Sequence, residues 1–387
     1  MMLARLILTL ILIAGSAGAQ AYETNAQAAY IIDQSTGTVL LSKNAQEPLP
    51  PASMSKLMTL LMTFEAIQRG TLSIDEELPV SAYAASLGGS TMFLDTRDRV
   101  TVEDLIRGII VLSGNDACVV LAEALSPDGT EAGFARMMTA RARELGMMNS
   151  TFQNSTGWPA AGHRMSMEDL AILSNHLIQD FPTYYPLFAE QVFEFDGRAP
   201  SNTRNRNPVL GRIPGADGLK TGHTQEAGYG LVGSARQGDR RVIFVITGLD
   251  TPAQRAEESE RIVNWAFRQF AEKVVATAGT RLAEAEVHMG EARRVGLTTA
   301  EDFSLLIPTI GAGEIEAHVS YDSPVAAPIV AGQGIGELIV TVPGFDPMRT
   351  PLIATEAVAT GGFVPRLRTA TDALRRQFLS SEPDPAS

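Results

Sequence analysis

Pro51-Ala52-Ser53-Met54-Ser55-Lys56-Leu57-Met58-Thr59 is the stretch from which the rest of the chain is best read. The breaker Pro48-Leu49-Pro50-Pro51 leads into it, and from Met54 the apolar residues Leu57, Leu60, Leu61, Phe64 and Ile67 recur at helical spacing as far as Gly70. This pattern predicts a buried helix with a glycine stop. Lys56 stands three residues after Ser53, so one helical turn brings both side chains to one face. A serine hydroxyl needs a base before it can act as a nucleophile, and a desolvated lysine with a lowered pKa can serve. The helix N-terminus also offers backbone N–H groups and a positive dipole end to an oxyanion. Alone the pair says little: Ser-x-x-Lys is expected about 0.25 times by chance, and Ser53 as a plain helix cap explains it as well.

Composition bounds what else the chain does. Its 387 residues allow two or three domains, and 45% hydrophobic with 19% charged residues is globular rather than disordered. Lys+Arg number 31 against 44 Asp+Glu, a net charge of −13 that disfavours nucleic-acid partners. A single cysteine, Cys118, excludes an internal disulfide and Cys-rich metal sites, and reads as a buried thiol. The histidines His163, His176, His223, His288 and His318 form no His-Glu-x-x-His spacing, so a metallohydrolase has little support and no metal or cofactor is expected. Neither a Gly-x-Ser-x-Gly elbow nor a phosphate loop occurs. Of the basic residues only four, Lys43, Lys56, Lys220 and Lys273, are lysines, which draws attention to each.

At the N-terminus Arg5 precedes the apolar run Leu6 to Ala14 and the small residues up to Ala21, with Ala17/Ala19 and Ala19/Ala21 as cleavage sites. Residues 1–21 therefore read as a secretory signal peptide, and the mature protein as exported to the periplasm. At the other end, residues 361–387 begin with Gly361-Gly362. Leu367, Ala370, Leu374 and Phe378 then recur at helical spacing among Arg366, Arg368, Arg375 and Arg376. Two readings stay open for this basic amphipathic tail: an anchor on the outer face of the inner membrane, or a solvated helix packed on its neighbour.

Between these ends, Tyr30-Ile31-Ile32-Asp33 and Val39-Leu40-Leu41 flank a hairpin turn, and Ala227 to Ser234 and Arg241 to Gly248 read as strands. Further helices start at the capping boxes Thr101-x-x-Asp104 and Ser166-x-x-Asp169, and another covers Thr251 to Ala271. Strands and helices in this order predict an α+β domain over 22–275, an antiparallel sheet flanked by helices. From 276 to 360 the short β-rich segments Phe303 to Ile307, Glu314 to Tyr321, Glu337 to Val342 and Leu352 to Val358 predict a small all-β domain.

Two more motifs join Ser53 and Lys56: Ser113-Gly114-Asn115, with about 0.6 chance matches expected, and Lys220-Thr221-Gly222, with about 0.03. Singly they read as an inter-helix turn and a strand end; in this order they are far more specific than any one alone. The three resemble the motifs of the penicillin-recognising serine acyl transferases. The wider strings around Ser53, Ser113-Gly114-Asn115-Asp116-Ala117-Cys118 and Asp217-Gly218-Leu219-Lys220-Thr221-Gly222-His223-Thr224 are similar to the low-molecular-mass penicillin-binding proteins, the serine-type D-alanyl-D-alanine carboxypeptidases.

That resemblance implies a β-lactamase/transpeptidase-like catalytic domain and removal of the terminal D-Ala from peptidoglycan pentapeptide stems through an acyl-Ser53 ester, inhibited by β-lactams. It implies Lys56 as the base, its amine uncharged through burial and the charge of Lys220. Ser113 would relay a proton to the leaving nitrogen, Asn115 would hold the substrate amide, and the N–H groups of Ser53 and His223 would form the oxyanion hole. A terminal carboxylate calls for cationic and hydroxyl donors, and Lys220, Thr221, beside Gly222, and Arg206 are the candidates. A D-Ala-D-Ala endopeptidase, a class A-like β-lactamase and a non-catalytic peptidoglycan-binding scaffold are the alternatives. Two features depart from the pattern: Trp158 in the segment Asn154 to Pro159, and a tail thin in apolar residues for a strong anchor.

Overall fold

The computed structural model describes residues 22–198, 202–309, 315–343 and 345–362. The segments expected to be the signal peptide and the basic tail lie outside these residues, apart from Gly361 and Gly362. Contacts divide the chain into two compact units, with the boundary at Arg268/Gln269.

The first unit is built on a five-stranded antiparallel sheet in the order Thr38–Lys43, Ala28–Asp33, Arg240–Leu249, Gly228–Gln237, Ala216–Thr224. Val242, Ile243, Phe244, Val245 and Ile246 are all buried, so both faces of the central strand are covered, as their unbroken apolar run requires. Helix Met167–Asp180 packs against Ala28–Asp33 and Arg240–Leu249, and Pro252–Arg268 packs against Gly228–Gln237 and Arg240–Leu249. The predicted helix after the proline breaker is Lys56–Gln68, entered through a single 3-10 turn Ala52–Ser55. Leu57, Met58, Leu60, Leu61 and Phe64 are buried on it, and it lies among helices Asn115–Leu125, Glu131–Glu144 and Met167–Asp180. A helix apolar around most of its circumference belongs inside a core, and this one occupies it. The predicted helix starts cap as expected on one side of the box: Thr101 and Ser166 accept from the backbone N–H of Asp104 and Asp169, while the Asp169 carboxylate accepts from Asn149 N–H and Ser150 Oγ. Gly70 ends the first helix in the left-handed region, with Thr71 N–H donating to Ala66 O.

The second unit is all β among the described residues. Its six-stranded sheet runs Glu316–Tyr321, Gly334–Thr341, Met348–Ala354, Arg294–Thr298, Ala283–His288, Val325–Ala326, beside a two-stranded pair Phe270–Ala276 and Phe303–Pro308. Ala285, Val295, Leu297, Leu305, Val340 and Leu352 form its core. Two expectations change here. Periodicity carries the preceding helix to Ala271, but the helix stops at Arg268 and Phe270–Ala276 pairs with Phe303–Pro308, placing that strand in the second unit rather than before a boundary at 275. Ala283–His288 and Arg294–Thr298 were not anticipated, because Ala-Glu-Ala-Glu carries helix-forming residues that cross-strand pairing overrides. The α+β catalytic layout followed by a small all-β domain is the one observed.

Candidate active site

Ser53 sits in the 3-10 turn, and Lys56 opens the α-helix behind it. Lys56 Nζ lies 2.9 Å from Ser53 Oγ and donates to Thr156 O at 2.6 Å. The lysine has no exposed surface, and burial lowers its pKa from 10.5 to about 8. The charge of Arg206 acts in the same direction, while those of Asp116 and Glu131 oppose it. The contribution expected from Lys220 runs the other way: the Lys220 amine is held well below its usual range, first by burial and then by the charge of Lys56.

The second and third motifs meet. Ser113 follows the π-helical stretch Gly108–Leu112 with φ +63°, which turns its hydroxyl towards Lys220, whose Nζ donates to Ser113 Oγ at 3.0 Å. Lys220 and Thr221 lie buried on the edge strand Ala216–Thr224. That strand crosses close behind the nucleophile turn at Gly222, where a Cβ would lie 2.9 Å from Pro51 O and 3.0 Å from Met54 Cγ. His223 stacks on Tyr229 with ring centroids 3.9 Å apart. Asn115 is buried, its amide Nδ2 donating to Gly88 O at 2.7 Å and its backbone N–H to Ser90 O at 2.7 Å. The next residue, Asp116, accepts from Met92, Leu94 and Ala117 N–H groups, so this carboxylate shapes the Ser90–Leu94 segment. Arg206 Nη2 donates to Ser90 Oγ and to Leu112 O, at 3.0 and 2.9 Å, which places it beside Ser113.

Sequence reasoning missed two contributors. Arg255 is buried on helix Pro252–Arg268 and donates from Nη2 to Arg206 O at 3.3 Å, while its Nε has no partner among the described residues. Burial lowers its pKa to about 10. No local motif announces an arginine that arrives from a distant helix. Glu131 accepts from Ser155 N–H and Oγ at 2.9 and 2.6 Å and from Tyr83 OH at 2.6 Å, anchoring the segment that supplies Thr156 O. Within that segment Asn154 Oδ1 accepts from Thr156 N–H, Thr156 Oγ1 and Gly157 N–H, the turn signal of Asn before Gly. Trp158 is half-exposed, and its ring lies against Gly89, where a Cβ would come 2.7 Å from Cζ3.

An antiparallel sheet flanked by helices, with a Ser-Lys pair on a buried helix and a Ser-Lys contact from two further segments, defines a serine acyl transferase of the penicillin-recognising type. A profile of the D-alanyl-D-alanine carboxypeptidase family matches residues 15–251, and one of the penicillin-binding protein 5 C-terminal domain matches residues 270–360. The chain is 35% identical over 357 residues to the D-alanyl-D-alanine carboxypeptidase DacC of Escherichia coli (strain K12), covering 90% of this chain and 88% of that one. It is 33% identical over 350 residues to DacF of Bacillus subtilis (strain 168), covering 89% and 88%. Penicillin binding protein 5 of Haemophilus influenzae superposes with a TM-score of 0.77 at 32% identity, covering 88% of this chain and 100% of that one. The chain belongs to the D-alanyl-D-alanine carboxypeptidase family.

Gly157 has φ +81°, and a Cβ there would lie 1.8 Å from Ala52 O, so the Thr156–Gly157 peptide is pressed against the nucleophile turn. Gly157→Ala is expected to slow acylation by a labelled penicillin by about 10²-fold, the scale of an ångström-sized misplacement. An acylation rate within about twofold of wild type would show that the close approach does not set the geometry.

Proposed function

We propose that the chain is a serine-type D-alanyl-D-alanine carboxypeptidase that removes the terminal D-Ala of peptidoglycan pentapeptide stems through an acyl-Ser53 ester and is inhibited by β-lactams. The observation that carries this reading is the buried Lys56 amine 2.9 Å from Ser53 Oγ. In its neutral form the amine takes the Ser53 proton as Oγ attacks the penultimate D-Ala carbonyl. Ser113 passes its proton to the leaving D-Ala nitrogen and takes one from Lys220 Nζ, and the C–N bond breaks. Water later hydrolyses the ester, its proton returning to Ser53 Oγ and that on Lys56 restoring Lys220 through solvent. The N–H groups of Ser53 and His223 receive the oxyanion. Since Asn115 Nδ2 is engaged by Gly88 O, its Oδ1 is the atom left to accept from the substrate amide N–H.

The substrate carboxylate is assigned to Thr221, beside Gly222, with Lys220 and Arg206, and Arg255 supports that cluster. Among the described residues neither Arg206 nor Arg255 has an ion-pair partner, although Arg255 is buried and Arg206 is desolvated enough to lower its pKa. A buried Arg255 and a partly desolvated Arg206, neither with a carboxylate, leave positive charge that a substrate anion would neutralise. The family relatives and the second unit favour the carboxypeptidase over a β-lactamase, an endopeptidase or an idle scaffold.

Incubation with labelled penicillin is expected to give a stable adduct on Ser53, and incubation with a D-Ala-D-Ala pentapeptide is expected to release D-Ala. Ser53→Ala should abolish both. Persistent turnover in that variant would remove Ser53 as nucleophile, and rapid penicillin hydrolysis would favour a lactamase.

The pH dependence follows from Lys56. Its pKa is lowered, so the reactive free amine accumulates as pH rises through about 8 instead of 10.5. The acylation rate is expected to climb towards a half-maximum near pH 8; a rise centred near the unperturbed value would contradict a desolvated base.

Export and a periplasmic site are inferred from the signal-like residues 1–21, and peripheral attachment to the inner membrane from the basic tail 361–387. Among the described residues no helix is long and apolar enough to cross a membrane. The mature chain is expected to partition onto anionic vesicles more strongly than a chain ending at residue 360. Equal partitioning would remove the anchor.

A further inference from the structure

Besides the three motifs, one buried side chain reaches directly into the nucleophile turn. His163 and Ser55 are 2% and 0% exposed, and His163 Nε2 lies 2.8 Å from Ser55 Oγ. On the other side of the ring, Gln153 N–H donates to His163 Nδ1 at 3.2 Å. A ring nitrogen that accepts carries no proton, so the imidazole is neutral with its hydrogen on Nε2, and Nε2–H donates to Ser55 Oγ.

We propose that neutral His163 is a positioning residue that, by tying Ser55 to Gln153, fixes the Thr156 carbonyl and through it the Lys56 amine against Ser53. The proposal rests on the reading of Lys56 as general base. Its carrier is the ring of contacts the imidazole closes. Ser55 lies between Ser53 and Lys56; the chain from Gln153 runs through the Asn154 turn to Thr156 O, and that oxygen receives Lys56 Nζ at 2.6 Å. Both heteroatoms of the ring are used, one on each of the two segments that must keep register. Any buried imidazole needs partners for its nitrogens; what is particular here is that the two partners lie on the segments carrying Lys56 and Thr156 O. The Phe152 ring meets the imidazole edge-to-face at 5.6 Å and fixes its plane.

Protonation would undo this arrangement, because an imidazolium has two donors and Nδ1–H would then face the Gln153 N–H. The charged groups facing the ring are Lys56, from the nucleophile helix, and Arg164, from its own segment, and both oppose a second positive charge. Arg164 also donates to His163 O at 3.0 Å while pairing with Glu226 at 2.9 Å. Burial, the largest effect, and these cations push the imidazole down to about 4. The neutral form therefore holds throughout the range in which the enzyme would work, and is lost as pH falls through about 4.

The test measures acylation by labelled penicillin against pH for wild type, His163→Gln and His163→Ala, each as the full mature chain. Glutamine keeps an acceptor and a donor on a neutral side chain. In wild type the rate is expected to fall with one proton below the Lys56 midpoint and to steepen to two protons near pH 4. His163→Gln should keep most of the neutral-pH rate and lose the steepening. His163→Ala should acylate about tenfold or more slowly, with the midpoint of its rise displaced to lower pH because the ammonium form loses a well-placed carbonyl. An alanine variant with wild-type rate and limb, or a glutamine variant that steepens as wild type does, overturns the proposal. If the alanine variant does not fold, the acid limb of the glutamine variant decides alone. Absence of an adduct in wild type would sink the Ser53–Lys56 reading itself; an active wild type with indifferent variants would sink only the role of His163.

Discussion

A lysine amine with no exposed surface, at the head of an equally buried helix, is the constraint on which the rest of the catalytic unit depends. An ammonium ion taken out of water costs several kcal/mol unless it is paired, and no carboxylate is within bonding distance of Lys56 Nζ among its hydrogen-bond partners. Burial answers the cost by lowering the Lys56 pKa to about 8, so the amine sheds its proton where an exposed lysine would still hold it. In the proposed reaction the neutral form of this amine would keep its bond to the Thr156 carbonyl and turn its lone pair to the Ser53 hydroxyl 2.9 Å away. The apolar circumference of the helix thus bears on the chemistry: Leu57, Met58, Leu60 and Leu61 exclude the water that would otherwise hold the Lys56 pKa near its usual value.

Removing the charge from one amine does not settle the electrostatics of the site, because Lys220, Arg206 and Arg255 are desolvated nearby. Asp116 and Glu131 offset them only at a distance, since both carboxylates are occupied with N–H and O–H donors. Those donors are backbone amides of Met92, Leu94 and Ser155 and the hydroxyls of Ser155 and Tyr83. The same carboxylates therefore shape the two segments that wall the site, and in the proposed reaction the surplus positive field is what a substrate carboxylate would neutralise.

Much of this was legible because local chemistry was unusual. Ser53 and Lys56 one turn apart before an apolar run, and Lys220-Thr221-Gly222 in a chain with so few lysines, marked their positions before any fold was known. Arg255 and Glu131 were not legible, since each enters from a helix whose sequence reads as an ordinary amphipathic surface. The strands Phe270–Ala276 and Ala283–His288 were hidden for a related reason. Their Glu, Lys and Ala residues favour a helix locally, and only pairing with Phe303–Pro308 and Arg294–Thr298 makes them strands. Trp158 stood out as a departure, and its ring against Gly89 shows what the departure does: it closes the gap between the Thr156 segment and the residues beside Asn115.

The backbone records where these demands conflict. Of six described non-glycine residues with positive φ, Ala52 precedes the nucleophile, Ser113 is the second-motif hydroxyl and Phe93 stands between the two amides that Asp116 holds. Each such conformation costs on the order of 1–3 kcal/mol and persists only where the surroundings over-determine it. Here those surroundings can be named: Ala52 O is pressed by Gly157, Ser113 by its bond to Lys220, and Phe93 by Asp116 on both sides. Ala52 and Ser113 thus flank the Ser53–Lys56 and Ser113–Lys220 contacts, and Phe93 lies on the segment that Asp116 holds. Stability is therefore held in the core built on Lys56–Gln68 and Arg240–Leu249, and part of it is given up at the turns so that a serine, two amines and their acceptors meet without rearrangement when substrate arrives.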